Sequence, residues 1–362
     1  MSEDIRFSAE HGLATIELNR PKALNALTLD MIRAMHPRLD AWEDDDALKA
    51  VLIKGSGEKA FCAGGDVRAV YGSIVDGLDG RGPSELSKVF FFEEYRLNHA
   101  IHAFSKPFVA LLDGVTMGGG VGLSIHGSHR IATERLMFAM PETAIGLFPD
   151  VGGGWFLPRL PGETGLYLAL TGARLEAAGA CALGLATHYV PLSRLEGLEA
   201  VLATTLAEVG DGRVAINDVL DRVSENPGPD PLAPHRELID RCFAQGSVAA
   251  IVDALGHEAV AGSDFAREAR ESLLGKCPTS LAISFEQLRR GREMSNLADV
   301  LAMEYRMSQA CMAGTEFFEG IRAVLVDKDH VPRWQPASLA EITPELIDRH
   351  FAATGELEFT PA

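Results

Sequence analysis

Cysteine is scarce in this chain of 362 residues. Cys62, Cys181, Cys242, Cys277 and Cys311 are scattered and never fall at the CxxC spacing of a zinc knuckle or a dithiol centre. An odd, dispersed set reads as reduced core thiols rather than a disulfide frame, and no metal is expected. Basic residues are also few: 33 Lys and Arg stand against 51 Asp and Glu, a formal net charge of −18. That field repels polyphosphate backbones and anionic bilayers, so neither nucleic acid nor a membrane is an expected partner. No run reaches the ~20 apolar residues of a membrane span. The acidic start, MSEDIRFSAE, has neither the apolar stretch of a secretory signal nor the arginines of a transit peptide, and a cytoplasmic location is expected. The phosphate loops GxGxxG and GxxxxGK are missing too, which leaves nucleotide binding without a motif.

What is present supports a large buried core, since 47% of the residues are hydrophobic. Short β-prone runs (Ala14 to Leu18, Ala50 to Lys54, Phe108 to Asp113, His129 to Thr133, Leu136 to Ala139) alternate with helical patterns over Leu29 to Trp42 and Glu85 to Phe104, which predicts an α/β fold. Pro227, Pro229, Pro231 and Pro234 crowd one span. They mark residues 206–236 as a linker between a core over 1–205 and a region over 237–362. There, Gly246 to Lys276, Ser280 to Arg292 and Leu297 to Met312 read as helices, with one more in the tail.

Three stretches carry chemistry. KAFCAGGDVRAV (Lys59 to Val70) and DGVTMGGGVGLSIHG (Asp113 to Gly127) each place glycines between a strand and a helix start, where N–H groups are unpaired and the helix end is positive. Such glycines also serve plain tight turns. If the two strands are neighbours, one N–H from each loop converges on a single oxygen, the geometry of an oxyanion hole. The third stretch, MPETAIGLFPDVGGG (Met140 to Gly154), holds Glu142 and Asp150 among apolar residues, where an uncompensated carboxylate is costly. Glu142 reads either as a first-turn acid or as a reactive group, and Asp150 either as an N-cap or as an acceptor for substrate. Glu94 lies on the stripe Leu86, Phe90, Leu97, Ile101 and Phe104, unlike Glu93, so it should find a buried donor or face a cavity. His126 and His129 lack a third metal ligand nearby. Cys62 lacks a base and reads as a buried thiol.

FCAGGD and MGGGVGLS, with RPKALNAL before them and the Glu142 segment after, resemble the enoyl-CoA hydratase/isomerase, or crotonase, superfamily. The resemblance implies a spiral of ββα units, followed here by a mainly α-helical C-terminal region. It implies an acyl-CoA substrate with no separate cofactor, and oxyanion donors on Gly65 and Gly119. CoA would be held around Lys22, Ala23, Ala63, Gly64 and Asp66, with Arg20, Lys22 and Arg68 as candidates for its phosphates. One departure matters: hydratases of this superfamily carry a first glutamate three residues after the middle glycine, and here that residue is Gly122. Two-glutamate hydration is therefore disfavoured, while Glu142 keeps the second position.

The longer motifs MPETAIGLFPDVGGGWFLPRLPG, FFFEEYRLNHAI and EGIRAVLVDKDHVPRW are similar to the 3-hydroxyisobutyryl-CoA hydrolase branch, a thioesterase of valine degradation. That likeness implies catalysis by Glu142 and Asp150 with Gly65 and Gly119, and substrate contacts from Glu94, Gly119, Glu142 and Asp150. Glu142 would act as nucleophile through a mixed anhydride or as general base, and the sequence leaves both open. Also open are an enoyl-CoA isomerase needing Glu142 alone, a non-catalytic acyl-CoA binder or RNA-binding relative, and a homo-oligomer.

Overall fold

A computed structural model describes residues 3–75 and 84–353. Its strands are β1 (Ile5–Glu10), β2 (Leu13–Leu18), β3 (Ala50–Gly55), β4 (Ala60–Cys62), β5 (Phe108–Leu112), β6 (Val115–Met117), β7 (His129–Ala132), β8 (Met137–Ala139) and β9 (His188–Tyr189). The β1–β2 hairpin turns through His11 and Gly12, both at positive φ, as a tight two-residue turn requires. Every other pairing between these strands is parallel. One sheet runs β1-β2-β3-β5-β7-β9 and the other β4-β6-β8.

Successive strand pairs therefore climb as a spiral, with one strand of each later pair in each sheet. Helices close the turns: α1 (Leu29–Glu43) after β2, α2 (Val67–Val75) and α3 (Glu85–Ala103) after β4, and α4 (Gly119–Ile125) after β6. Thr28 caps α1 by accepting from the Met31 N–H, and Met31, Ile32, Met35, Leu39 and Trp42 bury one face at helical spacing. The expected ββα spiral is present. The strands added to the expected set include β4, β6 and β9, which are two or three residues long and too short to show alternation.

The stretch expected as a linker needs a correction. Gly212–Val223 is a helix, capped by the Asp211 side chain, and it buries Ala215, Ile216, Val219 and Leu220 in a cluster with Leu13, Leu52 and Val109. The prolines begin only after it ends, and its apolar face outweighs their neighbourhood. The helical stretch expected over Gly246 to Lys276 is two helices, Val248–Val260 and Asp264–Leu274, broken at Gly262 (φ 103°) with Ser263 as the next cap. The later helices Pro278–Glu293 and Leu297–Ala313 share one hydrophobic cluster with the spiral: Val300, Leu301 and Met307 join Phe91, Phe148 and Val151.

Candidate active site

Because β4, β6 and β8 are parallel neighbours, the loops at their C-terminal ends meet at one edge, as strand ends in α/β sheets generally do. The loop after β4 brings Gly64 and Gly65, the loop after β6 brings Gly118 and Gly119, and the loop after β8 brings Glu142. Gly64 (φ 115°) and Gly118 (φ 48°) occupy backbone conformations that side chains strain. The two glycine loops touch. A Cβ on Gly119 would stand 3.1 Å from the Gly65 nitrogen. Gly119 opens α4, so its N–H has no partner within the helix.

Two carboxyls lie against these glycines, and a third is linked to them through a tyrosine. Glu142 sits in a single 3-10 turn, Glu142–Ala144, with Oε1 3.1 Å from where a Gly118 Cβ would be and Oε2 unpartnered. Glu94, on the buried side of α3, brings Oε1 to 2.5 Å from the Cβ position of Gly119, and that oxygen has no partner either. Asp150 accepts a hydrogen bond from the Tyr95 hydroxyl at 2.9 Å. Glu94, Glu142 and Asp150 are each 5% exposed or less. The structure thus gathers Gly65, Gly119, Glu94 and Glu142 directly, with Asp150 joined through Tyr95, the residue next to Glu94.

Burial raises all three acids, and repulsion from Asp150 adds to it for Glu94 and Glu142. Burial first, then the charge of Asp150, holds Glu94 and Glu142 well above the usual carboxylate range. Burial pushes Asp150 up to about 7, against the pull of the Tyr95 hydroxyl. A carboxyl raised by folding gives stability that is complete below its unfolded value of about 4 and lost as pH rises through about 7. Asp150→Asn cannot ionise, so its melting temperature should exceed that of the unchanged chain by a few degrees at pH 8, with the gap closing as pH falls towards 5. Thermal denaturation at both pH values checks this, and a variant no more stable at pH 8 contradicts it.

Several alternative readings of these residues fall away. The helix Gly153–Phe156 is capped not by Asp150 but from a distance, by Glu304, which accepts from the Gly152 and Gly154 N–H groups. A Cβ on Gly122 would lie 2.7 Å from Val151 Cβ and 2.8 Å from Asn98 Nδ2, so the space a second acid needs there is filled. Glu93 is on the surface side, in a bidentate pair with Arg33. Burial pushes the Cys62 thiol up to about 12, which suits an inert core residue. His126 bonds the Val151 carbonyl and His129 bonds Asn217. Among the described residues no three metal-ligating side chains cluster.

A trough of about 740 Å³ opens beside the site, lined by Ala63, Val67, Met117, Pro141, Arg174 and Lys276 among others. Ala63, Gly64 and Asp66 are laced to the segment carrying Lys22 and Ala23: the Ala63 N–H donates to the Leu24 carbonyl and the Leu27 N–H to that of Gly64. Arg20 is already engaged with Asp4 and Asp66, and Arg68 donates to the Leu325 carbonyl. A separate cavity of about 550 Å³, lined by Thr279, Tyr305 and Gln309, contains none of the carboxyls named above.

Sequence reasoning missed Tyr95, Asn98 and Glu304. Glu304 carried a usable signal, since it lies at i+4 from Val300 and i−7 from Cys311 on a buried stripe, as Glu94 does on α3. Asn98 is fully buried with both amide atoms unpartnered beside Gly122 and Val151.

The family model described as enoyl-CoA hydratase/isomerase matches residues 13–351. A Danio rerio protein named "3-hydroxyisobutyryl-CoA hydrolase, mitochondrial" is 48% identical over 98% of this chain and 90% of its own. Proteins of the same name from Xenopus tropicalis and Homo sapiens are 50% and 46% identical, over 94% and 98% of this chain and 86% and 90% of theirs. Among solved structures, a carnitinyl-CoA dehydratase from Mycobacterium thermoresistibile superimposes with a TM-score of 0.90 at 39% identity over 99% of both chains. An enoyl-CoA hydratase from Rhodobacter sphaeroides 2.4.1 gives 0.87 at 36%, over 99% of this chain and 100% of its own. No helix among the described residues is long and apolar enough to cross a membrane.

Proposed function

The chain belongs to the enoyl-CoA hydratase/isomerase family, and from that premise we propose that it hydrolyses 3-hydroxyisobutyryl-CoA to 3-hydroxyisobutyrate and CoA. The named relatives point to a hydrolase, whereas the names of the two solved structures point to adding or removing water. The observation that decides between them is at Gly122. Hydration as the family resemblance implies it uses two acids on one water, and here the place of the first, at Gly122, is occupied by Val151 and Asn98. With no acid at position 122, Glu142 is the carboxyl assigned to proton transfer, which suffices for cleaving a thioester.

In this reading the thioester oxygen sits between the N–H groups of Gly65 and Gly119, which take up the negative charge of the tetrahedral intermediate. Glu142, once ionised, is a strong base because burial disfavours its charge. It either removes a proton from the attacking water or attacks the carbonyl carbon itself, giving an anhydride that water then opens. Either way the C–S bond breaks and the CoA sulfur leaves as the thiol after protonation. Glu94 flanks Gly119 and helps orient Glu142 and the acyl group, and the trough, which Ala63 lines, holds the CoA arm, with Lys22, Ala23, Gly64 and Asp66 as its further proposed contacts.

Asp150 is assigned to the substrate's 3-hydroxyl. A buried acceptor left unpaired penalises the analogue lacking the hydroxyl, so the chain should prefer 3-hydroxyisobutyryl-CoA to isobutyryl-CoA. A bond to a charged group is worth roughly 1.5 to 3 kcal/mol, so Asp150→Asn should lower the ratio of kcat/KM for the two substrates by about one to two decades. Steady-state kinetics on both thioesters measures it, and an unchanged ratio removes Asp150 from that role. The proposal includes no separate cofactor. It places the enzyme in the cytoplasm as a homo-oligomer, although the relatives' names carry the word mitochondrial. Cell fractionation and gel filtration test those two points.

A further inference from the structure

We infer that Glu304 is a positioning residue, which reaches in from the helix Leu297–Ala313 to hold the turn that presents Asp150 to the substrate. This rests on the reading of Asp150 given above. Glu304 is 0% exposed, and all three donors it meets belong to or brace that turn. Its Oε2 accepts from the Gly152 N–H at 2.7 Å, and its Oε1 accepts from the Gly154 N–H at 2.8 Å and from Gln287 Nε2 at 2.9 Å. The same Gln287 nitrogen donates to the Pro149 carbonyl at 2.7 Å. The residues immediately before and two after Asp150 are thereby tied to two helices of the C-terminal region.

The turn needs such a brace. Val151, next to Asp150, has φ of 51°, a conformation that strains a β-branched residue and persists only where its surroundings over-determine it. The surroundings do so from both sides: His126 Nε2 lies 2.8 Å from the Val151 carbonyl, and Glu304 takes the Gly152 N–H. The glycines are what let the helices come this close. Gly152 has φ of 88°, a Cβ on Gly154 would be 3.1 Å from Glu304 Oε1, and a Cβ on Gly291 would be 2.0 Å from the Gly154 carbonyl oxygen. The segment VGGG is therefore the docking surface for Glu304, and the helical C-terminal region supplies a part of the active site.

The test compares 3-hydroxyisobutyryl-CoA with isobutyryl-CoA, which has no hydroxyl for Asp150 to hold. Glu304→Gln keeps the shape but turns an N–H₂ towards a backbone N–H, freeing one end of the turn. A misplacement of about 1 Å can cost a reaction about 10²-fold. The variant should lose about tenfold in kcat/KM on the hydroxylated substrate and less than about threefold on isobutyryl-CoA. Gln287→Leu, which cuts the tie to Pro149 and fills the same space, should show the same split more weakly and serves if Glu304→Gln does not fold. In the Asp150→Asn background neither change should lower the preference further, because a residue acting through Asp150 has nothing left to position. Equal losses on both substrates, or losses that add to those of Asp150→Asn, overturn the inference and leave Glu304 a structural residue. A preference that survives in Asp150→Asn alone overturns the reading of Asp150, and this inference with it.

Discussion

Glu142→Gln is expected to fold normally and to lose about 10²- to 10⁴-fold of thioester turnover. Glutamine keeps the volume beside Gly118 but can neither take a proton nor form an anhydride. Stability should hold or rise above pH 7, since the change removes an acid that burial and the Asp150 charge keep far above its ordinary range. KM should change little if Glu142 acts only in the transition state. Thiol release measured beside a melting curve checks both halves, and near-normal turnover in a folded variant removes Glu142 from the chemistry. Oxygen-18 from water appearing in Glu142 during a single turnover separates the anhydride route from the general-base route.

Gly119 gives the second large effect, and the structure dictates its control. Gly119→Pro removes the N–H, and loss of one oxyanion donor typically costs about 2.7 to 4 kcal/mol of barrier, or about 10²- to 10³-fold in turnover. Proline at the first residue of a helix is tolerated by the backbone. Any side chain there, however, brings a Cβ to 2.5 Å from Glu94 Oε1. Gly119→Ala introduces the same Cβ while keeping the N–H, so the proline variant should be slower than the alanine variant by about that factor. Equal rates in two folded variants mean that the Gly119 N–H carries no charge in the reaction.

The legible parts of this protein are those whose signal is local. Glycine loops at strand ends, a carboxylate on an apolar stripe and an acid among apolar residues are each read within a dozen residues, and they pointed to the two glycine loops, Glu94 and Glu142, while Gly65 and Gly119 as the donors came from the family resemblance. The illegible parts are pairings across the chain. That β4, β6 and β8 are neighbours follows from packing, because three-residue strands show no alternation. Tyr95 meets Asp150 across 55 residues and Glu304 meets Gly152 across 152, and no periodicity encodes such a pair. Asp150 shows the consequence: an N-cap was the natural local reading, and a carboxylate from a distant helix does the capping instead. The linker failed for the opposite reason, since four prolines drew attention from the amphipathic Gly212–Val223 just before them.

The most direct test of the central claim is to incubate the protein separately with 3-hydroxyisobutyryl-CoA and with crotonyl-CoA and to resolve the products by mass. With Glu142 in place and the Gly122 position filled by Val151 and Asn98, the first thioester should give free CoA and the hydroxy acid while the second gains negligible water. Robust hydration of crotonyl-CoA, without thiol release from the hydroxylated substrate, would contradict it.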